Sequence, residues 1–349
     1  PLRYFSWQAV GNYRNDADMV GGSVALTYNR LLPVFTLSAY RTGVPYNRYA
    51  YDPNDDTNVL TADDLYWEDR RAVALTISFP RTHKTTIFAK FAMTTRQPHL
   101  EIPDDTILSL LPATGRFGTI QGGWRYSWGR PTAYAISPED ARMVSVIGGL
   151  LHPNLGSEVF TGDGAVAGAT QVQLTAEVKE FIVNPWLPNH VLAMRAAGGM
   201  TAGSTDYLGY YQLGGAYGDS MATVTPDEFR MLRGYNLGAD VGDRYWLSSI
   251  EYRLPIMRFD RGVDWLPLFF GHSSGAVFVD AGNAFGSDIP IGDAFNEPLV
   301  GVGGEIILAG AAGWWSAWKT RLGYALALTQ PDVASGTNGT FYAQVGSSF

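Results

Sequence analysis

Phe341-Tyr342-Ala343-Gln344-Val345-Gly346-Ser347-Ser348-Phe349 closes the chain on an aromatic residue and alternates with period two. Phe341, Ala343, Val345 and Phe349 fall on one face, with Gln344, Gly346 and Ser348 on the other. That division is what a strand needs when one side meets lipid and the other water. The stretch reads as the last strand of a membrane barrel, with Phe341, Val345, Gly346 and Phe349 as its terminal signal.

The same pattern recurs upstream. In Gln171–Lys179, Val172, Leu174, Ala176 and Val178 form an apolar face, while Gln173, Thr175, Glu177 and Lys179 form a polar one suited to a wet lumen. Val73, Leu75, Ile77 and Phe79 alternate with Ala74, Thr76 and Ser78, and Ile87, Ala89, Phe91 and Met93 alternate with Lys90, Ala92 and Thr94. Segments of this kind, near the ~9–11 residues of a tilted membrane strand, predict fourteen strands. They fall at about 4–13, 19–28, 34–43, 67–79, 85–95, 116–127, 141–152, 168–182, 190–200, 244–254, 274–285, 298–308, 317–328 and 340–349. A soluble sandwich shows a few such strands; a dozen in series favour a barrel.

Composition agrees. The apolar residues are dispersed, and no run approaches the ~18 needed for a membrane helix. Gly 40, Tyr 19, Trp 10 and Phe 17 suit a chain that bends many strands and anchors them with aromatics at two interfaces. The absence of cysteine removes disulfides and thiolate metal sites and is compatible with export. A formal charge of −8 argues against nucleic acid as a partner. Pro1-Leu2-Arg3-Tyr4 lacks both a basic leader and an apolar stretch, so the chain reads as a mature fragment. Residues 1–349 are expected to form one barrel domain.

The links differ in length by end. Asn29–Pro33 and Pro80–Lys84 are short, whereas 44–66, 96–115, 153–167 and 201–243 are long and polar. Outer-membrane barrels pair short periplasmic turns with long outer loops, which places the long links outside.

The longest link contains Leu213-Gly214-Gly215 and then Met231-Leu232-Arg233-Gly234-Tyr235. Behind it come Ser249-Ile250-Glu251-Tyr252-Arg253-Leu254-Pro255 and Ala276-Val277-Phe278-Val279-Asp280-Ala281-Gly282-Asn283-Ala284-Phe285. These segments resemble the BamA-like superfamily of outer-membrane assembly and translocation barrels (bacterial surface antigen type), specifically over about 210–349 and architecturally before that. The resemblance implies sixteen strands where fourteen are visible. It also implies an Arg-Gly-aromatic tip, Arg233, Gly234 and Tyr235, on an outer loop folded into the lumen, with Glu251 and Asp280 as its acidic partners.

Residue chemistry supports that arrangement independently. Trp246, Ile250, Tyr252 and Leu254 share a face, so Glu251 and Arg253 point into the lumen. Val277, Val279 and Ala281 face out, so Asp280 points in. Both carboxylates can then reach an inserted guanidinium. The alternative is an Arg233 that simply solvates an outer loop.

Other candidates are weaker. Asp52-Pro53-Asn54-Asp55-Asp56-Thr57-Asn58, with Asp63 beyond, has calcium-loop spacing, but Thr57 stands where glycine is needed, and a solvated outer loop is the preferred reading. His83, His99, His152, His190 and His272 are scattered without ligand spacing. No metal and no cofactor is assigned. No Gly-x-Ser-x-Gly elbow, phosphate-cradling loop or His-Glu-x-x-His helix occurs, so the chain is read as a non-enzyme.

The resemblance implies a barrel that inserts or passes polypeptides through a lateral seam or gated lumen. Its implied partners are outer-membrane lipids and lipopolysaccharide, client polypeptides, and periplasmic domains or accessory proteins, the N-terminal periplasmic modules being absent from this chain. Gly346 either weakens terminal pairing and helps the seam open or only eases curvature. The alternative function is a passive channel, or a structural anchor for a larger complex.

Overall fold

The computed structural model describes residues 4–14, 18–52, 55–107, 111–130, 135–161, 164–168, 170–203, 211–215, 229–236, 238–263, 265–286, 289, 292–313, 316–329 and 339–347. In chain order the described strands are β1 Phe5–Arg14, β2 Met19–Tyr28, β3 Val34–Asp52, β4 Asp55–Pro80, β5 Thr85–Pro98, β6 Gly115–Arg130, β7 Glu139–Leu151, β8 Glu158–Thr161, β9 Gly164–Ala167 and β10 Gln171–Val183. They continue with β11 Val191–Gly203, β12 Tyr211–Leu213, β13 Phe229–Arg230, β14 Asp240–Gly242, β15 Arg244–Val263, β16 Leu266–Phe285, β17 Leu299–Ala312, β18 Ser316–Ala327 and β19 Thr340–Ser347. Sixteen belong to one sheet. Fourteen of these follow one another as antiparallel neighbours, and β8 and β9 form a side hairpin hung from β6. These fourteen correspond one to one with the strands expected from alternation.

The barrel is inverted relative to a soluble protein. Val24, Val73, Val172, Ile250, Val277 and Ile306 are exposed on the outer face, while inward neighbours such as Ala74, Gln171 and Glu251 are buried. A lipid-facing band accounts for that pattern. Trp186 and Trp265, 85% and 81% exposed, lie on two short turns, where an aromatic belt meets the headgroup layer.

Two stretches differ from expectation. The link at 44–66 is not a loop: β3 and β4 continue pairing to Asp52↔Asp55, with register shifts at Asn47/Tyr49 and Tyr51/Asp52. Above the lipid, water no longer imposes an apolar face, so this hairpin lacks the alternation that marks its lower half. The Asp52–Asn58 stretch is thus its tip, with Pro53 and Asn54 outside the described residues. Val44, Tyr46 and Tyr66 there form a buried cluster against Ile102 and Leu111 of the next outer connection.

The second stretch is 255–273, where β15 and β16 run on to Val263 and Leu266. Pro255 has no N–H for the ladder. The register shifts after it, between Pro255 and Met257 and again between Arg258 and Arg261, which hid these extensions from a period-two reading.

Among the described residues β1 pairs only with β2, and β19 only with β18. The sheet therefore presents two edges at its seam. Val345 and Gly346 pair through the backbone with Thr320 and Lys319, Phe341 is on the outer face, 68% exposed, and Phe349 lies outside the described residues.

Candidate functional site

The connection between β11 and β15 folds into the lumen. Its strands β12, β13 and β14 form a separate small sheet. Tyr211, Leu213, Leu232, Tyr235 and Ala239 bury themselves against Tyr245 and Leu247 of β15, Ala284 of β16 and Leu299 of β17. Apolar contact with the wall seats the segment, and polar contacts then fix its tip.

Arg233 carries most of them. Its Nε donates to Asp280 Oδ2 at 2.7 Å and its Nη2 to Asp280 Oδ1 at 2.8 Å, the two-pronged geometry that a planar guanidinium favours. Nη1 donates to Glu251 Oε2 at 3.1 Å and Nη2 also reaches Ser249 Oγ at 3.3 Å. Glu305 Oε2 lies 3.8 Å away, and the guanidinium sits 3.3 Å from the centre of the Phe278 ring, a cation–π contact in a desolvated place. The four charged side chains are 3%, 9%, 2% and 1% exposed for Arg233, Glu251, Asp280 and Glu305. At that depth each charge depends on its partners.

The supporting shell is also ionic. Arg253 Nε donates to Glu251 Oε1 at 2.6 Å, Ser249 Oγ donates to Asp280 Oδ1 at 2.6 Å, Tyr342 donates to Glu305 Oε2 at 3.0 Å, and Arg321 lies 3.7 Å from Glu305 Oε1. Three guanidiniums thus face three carboxylates drawn from β15, β16 and β17.

Gly234 and Tyr235 complete the tip. Gly234 has φ +98°, and a Cβ there would lie 3.0 Å from the Leu326 backbone, so glycine serves both conformation and clearance. On the facing wall a Cβ at Gly301 would overlap the Arg233 carbonyl. The Tyr235 hydroxyl accepts from the Val300 N–H at 2.9 Å and lies 2.9 Å from the Val300 and Thr329 carbonyl oxygens. It joins the tip to β17 and to the connection after β18.

Further ties cross the lumen. Asp240 Oδ2 accepts from the Ala284 N–H at 2.6 Å, and Asn47 of β3 donates to the Gly238 carbonyl at 3.0 Å. The connection therefore spans from β16 to β3. On the β3–β5 side a second buried cluster sets Arg70 2.7 Å from Glu68 and 2.8 Å from the Tyr46 hydroxyl.

The residues singled out in sequence, Arg233, Gly234, Tyr235, Glu251 and Asp280, are brought together. Glu305, Ser249 and Phe278 were missed. Glu305 is the inward charge on β17, and only the register Ala276↔Glu305 places it beside the other acids. The polar face of β10 lines the lumen as expected, with Glu177 2.6 Å from Arg195 and 3.5 Å from Lys179. Among the described residues no group of three or more His, Asp or Glu side chains is placed to hold a metal.

Inward charges, a lipid-facing exterior and a long connection folded into the lumen define a membrane barrel with an occupied interior. No protein-family model matches the chain, and no curated protein does. Among solved structures, BamA from Haemophilus ducreyi lacking POTRA domains 1–3 matches with a TM-score of 0.56 at 13% identity, over 99% of this chain and 70% of that one. CdiB from Acinetobacter baumannii matches with a TM-score of 0.46 at 12% identity, over 99% of this chain and 60% of that one. The chain shares the β-barrel fold of that BamA structure.

Proposed function

We propose that this chain is the membrane barrel of an outer-membrane machine that inserts or translocates polypeptides, acting without bond chemistry. The observation that carries the reading is the pairing of two features: a lumen crossed by a latched connection, and a sheet whose first and last strands leave their edges free of each other among the described residues. A blocked lumen directs traffic to the seam. An edge strand offers unpaired N–H and C=O groups to an incoming strand, which gains main-chain hydrogen bonds before it leaves.

In this reading Arg233, Gly234 and Tyr235 are a latch. Glu251 and Asp280 hold it on β15 and β16, and Glu305, 3.8 Å from Arg233, accepts from Tyr342 of β19 at 3.0 Å, so the plug is tied to the last strand of the seam. Phe341, Val345 and Gly346 belong to the terminal strand that opens. Clients arrive from periplasmic domains or accessory proteins, and the outer face meets outer-membrane lipids and lipopolysaccharide.

A passive channel is the second reading, favoured by the polar wall of Glu177, Lys179 and Arg195. Folding of a radiolabelled outer-membrane client into liposomes with and without the barrel, alongside single-channel recording, separates the two. Faster client folding with low conductance supports the machine; large steady conductance without acceleration supports the channel and sinks the proposal.

A further inference from the structure

The three guanidiniums and three carboxylates around Arg233 balance one another, and Lys319 comes on top of them. It faces the lumen on β18, two positions before Arg321 and near the short-turn end of the barrel. The charges acting on it are those of Arg321 and Arg253, both cationic. Among the described residues no carboxylate is paired with it.

Register places other bases beside it. Arg258 of β15 pairs with His272 of β16, His272 with Ala309 of β17, and Ala309 with Lys319 of β18. One row of the wall therefore reads Arg258, His272, Ala309, Lys319. Arg321 stands one inward position above Lys319, and Arg253 lies higher on β15. Arg258 is joined to Asp260, so the one acid acting near His272 among the described residues is already paired.

His272 and Lys319 are two strands apart, about 9.6 Å at sheet spacing, and the residue between them, Ala309, is small and buried. From the far side of the barrel, the connection between β6 and β7 brings the Ile136 backbone against the His272 ring, and Ile136 is itself buried. The imidazole Nε2 is buried without a hydrogen-bond partner, a condition that native interiors rarely tolerate without a ligand or water.

We infer that this row is an oxyanion site at the periplasmic end of the lumen, and that its ligand is a phosphate group. Lys319 Nζ and the Arg321 guanidinium supply charge-assisted donors of the kind that bind phosphate. His272 Nε2 accepts from a P–OH or, when protonated, donates to a phosphate oxygen. Arg253 and Arg258 add field without being needed as direct contacts. The site is independent of the proposed insertion activity, since it concerns what occupies the lower lumen rather than what crosses the seam.

The test is isothermal titration of the whole purified barrel, in phosphate-free maltoside detergent, with inorganic phosphate and separately with dihexanoyl phosphatidic acid. Saturable binding of inorganic phosphate is expected. Lys319→Gln should weaken it about tenfold or more, the loss of a charge-assisted hydrogen bond, Lys319→Arg should retain it, and Lys90→Gln, which removes an inward lysine from β5, should leave it unchanged.

Lys319→Gln should also raise the temperature of the folded-to-unfolded gel shift in phosphate-free buffer, because it removes an uncompensated cation. A merely structural lysine would lower it. Binding of the lipid alone, lost in Lys319→Gln, assigns the phosphate to a headgroup. No saturable binding of either probe, or equal binding by Lys319→Gln, overturns the inference.

Discussion

Arg233 and Asp280, 47 residues apart in sequence, meet through two parallel N–H···O bonds of 2.7 and 2.8 Å in a place where both side chains are almost wholly removed from water. Removing one partner strands the other. Arg233→Ala or Asp280→Ala should therefore cost about 3–5 kcal/mol, the range for breaking a buried pair from one side. The loss is read as a lower gel-shift temperature and faster proteolysis within the connection after β11. Arg233→Lys should not restore stability, because an ammonium cannot span Asp280, Glu251 and Ser249 as a planar fork does.

Gly234 sits at φ +98° with the Leu326 backbone against it. Gly234→Ala should destabilise the seated tip by about 1–2 kcal/mol from the left-handed backbone alone. Protease protection of the connection should fall while the outer wall, followed by the far-ultraviolet spectrum, stays unchanged.

Tyr235 reaches Val300 and Thr329 through its hydroxyl. Tyr235→Phe keeps the ring in its apolar seat and deletes those bonds, which should cost about 0.5–1.5 kcal/mol, the net worth of a hydrogen bond, because the Val300 N–H keeps Thr329 Oγ1 as an acceptor at 2.8 Å. Increased cleavage should appear in the connection after β18 as well as in the one after β11.

Val279 and Thr175 test the two faces of the wall. Val279 is exposed on the outer face, so Val279→Arg should reduce stability in bilayers by about 2–4 kcal/mol at midplane depth. Thr175→Lys, on the lumen side, should fold with near-normal yield. Equal effects at the two positions would contradict the lipid-facing assignment.

Much of this architecture was legible because lipid enforces alternation. Val172, Leu174 and Val178 announce β10, and Ile250 against Glu251 announces which side of β15 meets the latch. Where lipid ends, the signal ends: the tops of β3 and β4 have no apolar face to maintain, and Pro255 shifts the register of β15 just where its lower half begins. Arg233, Glu251 and Asp280 came from a short motif and the parity of two strands. Glu305, Phe278 and the Asn47 contact with Gly238 required knowing which strands are neighbours and how far the connection reaches across the lumen, and parity within one strand carries neither.

In the proposed function clients pass at the edge between β1 and β19. The cysteine-free chain allows one cysteine on each of these strands, closed as a disulfide and reopened with reductant, while client folding into liposomes is timed. The closed staple should abolish acceleration, and reduction should restore it. Acceleration undiminished by a fully formed staple would rule out passage at that edge.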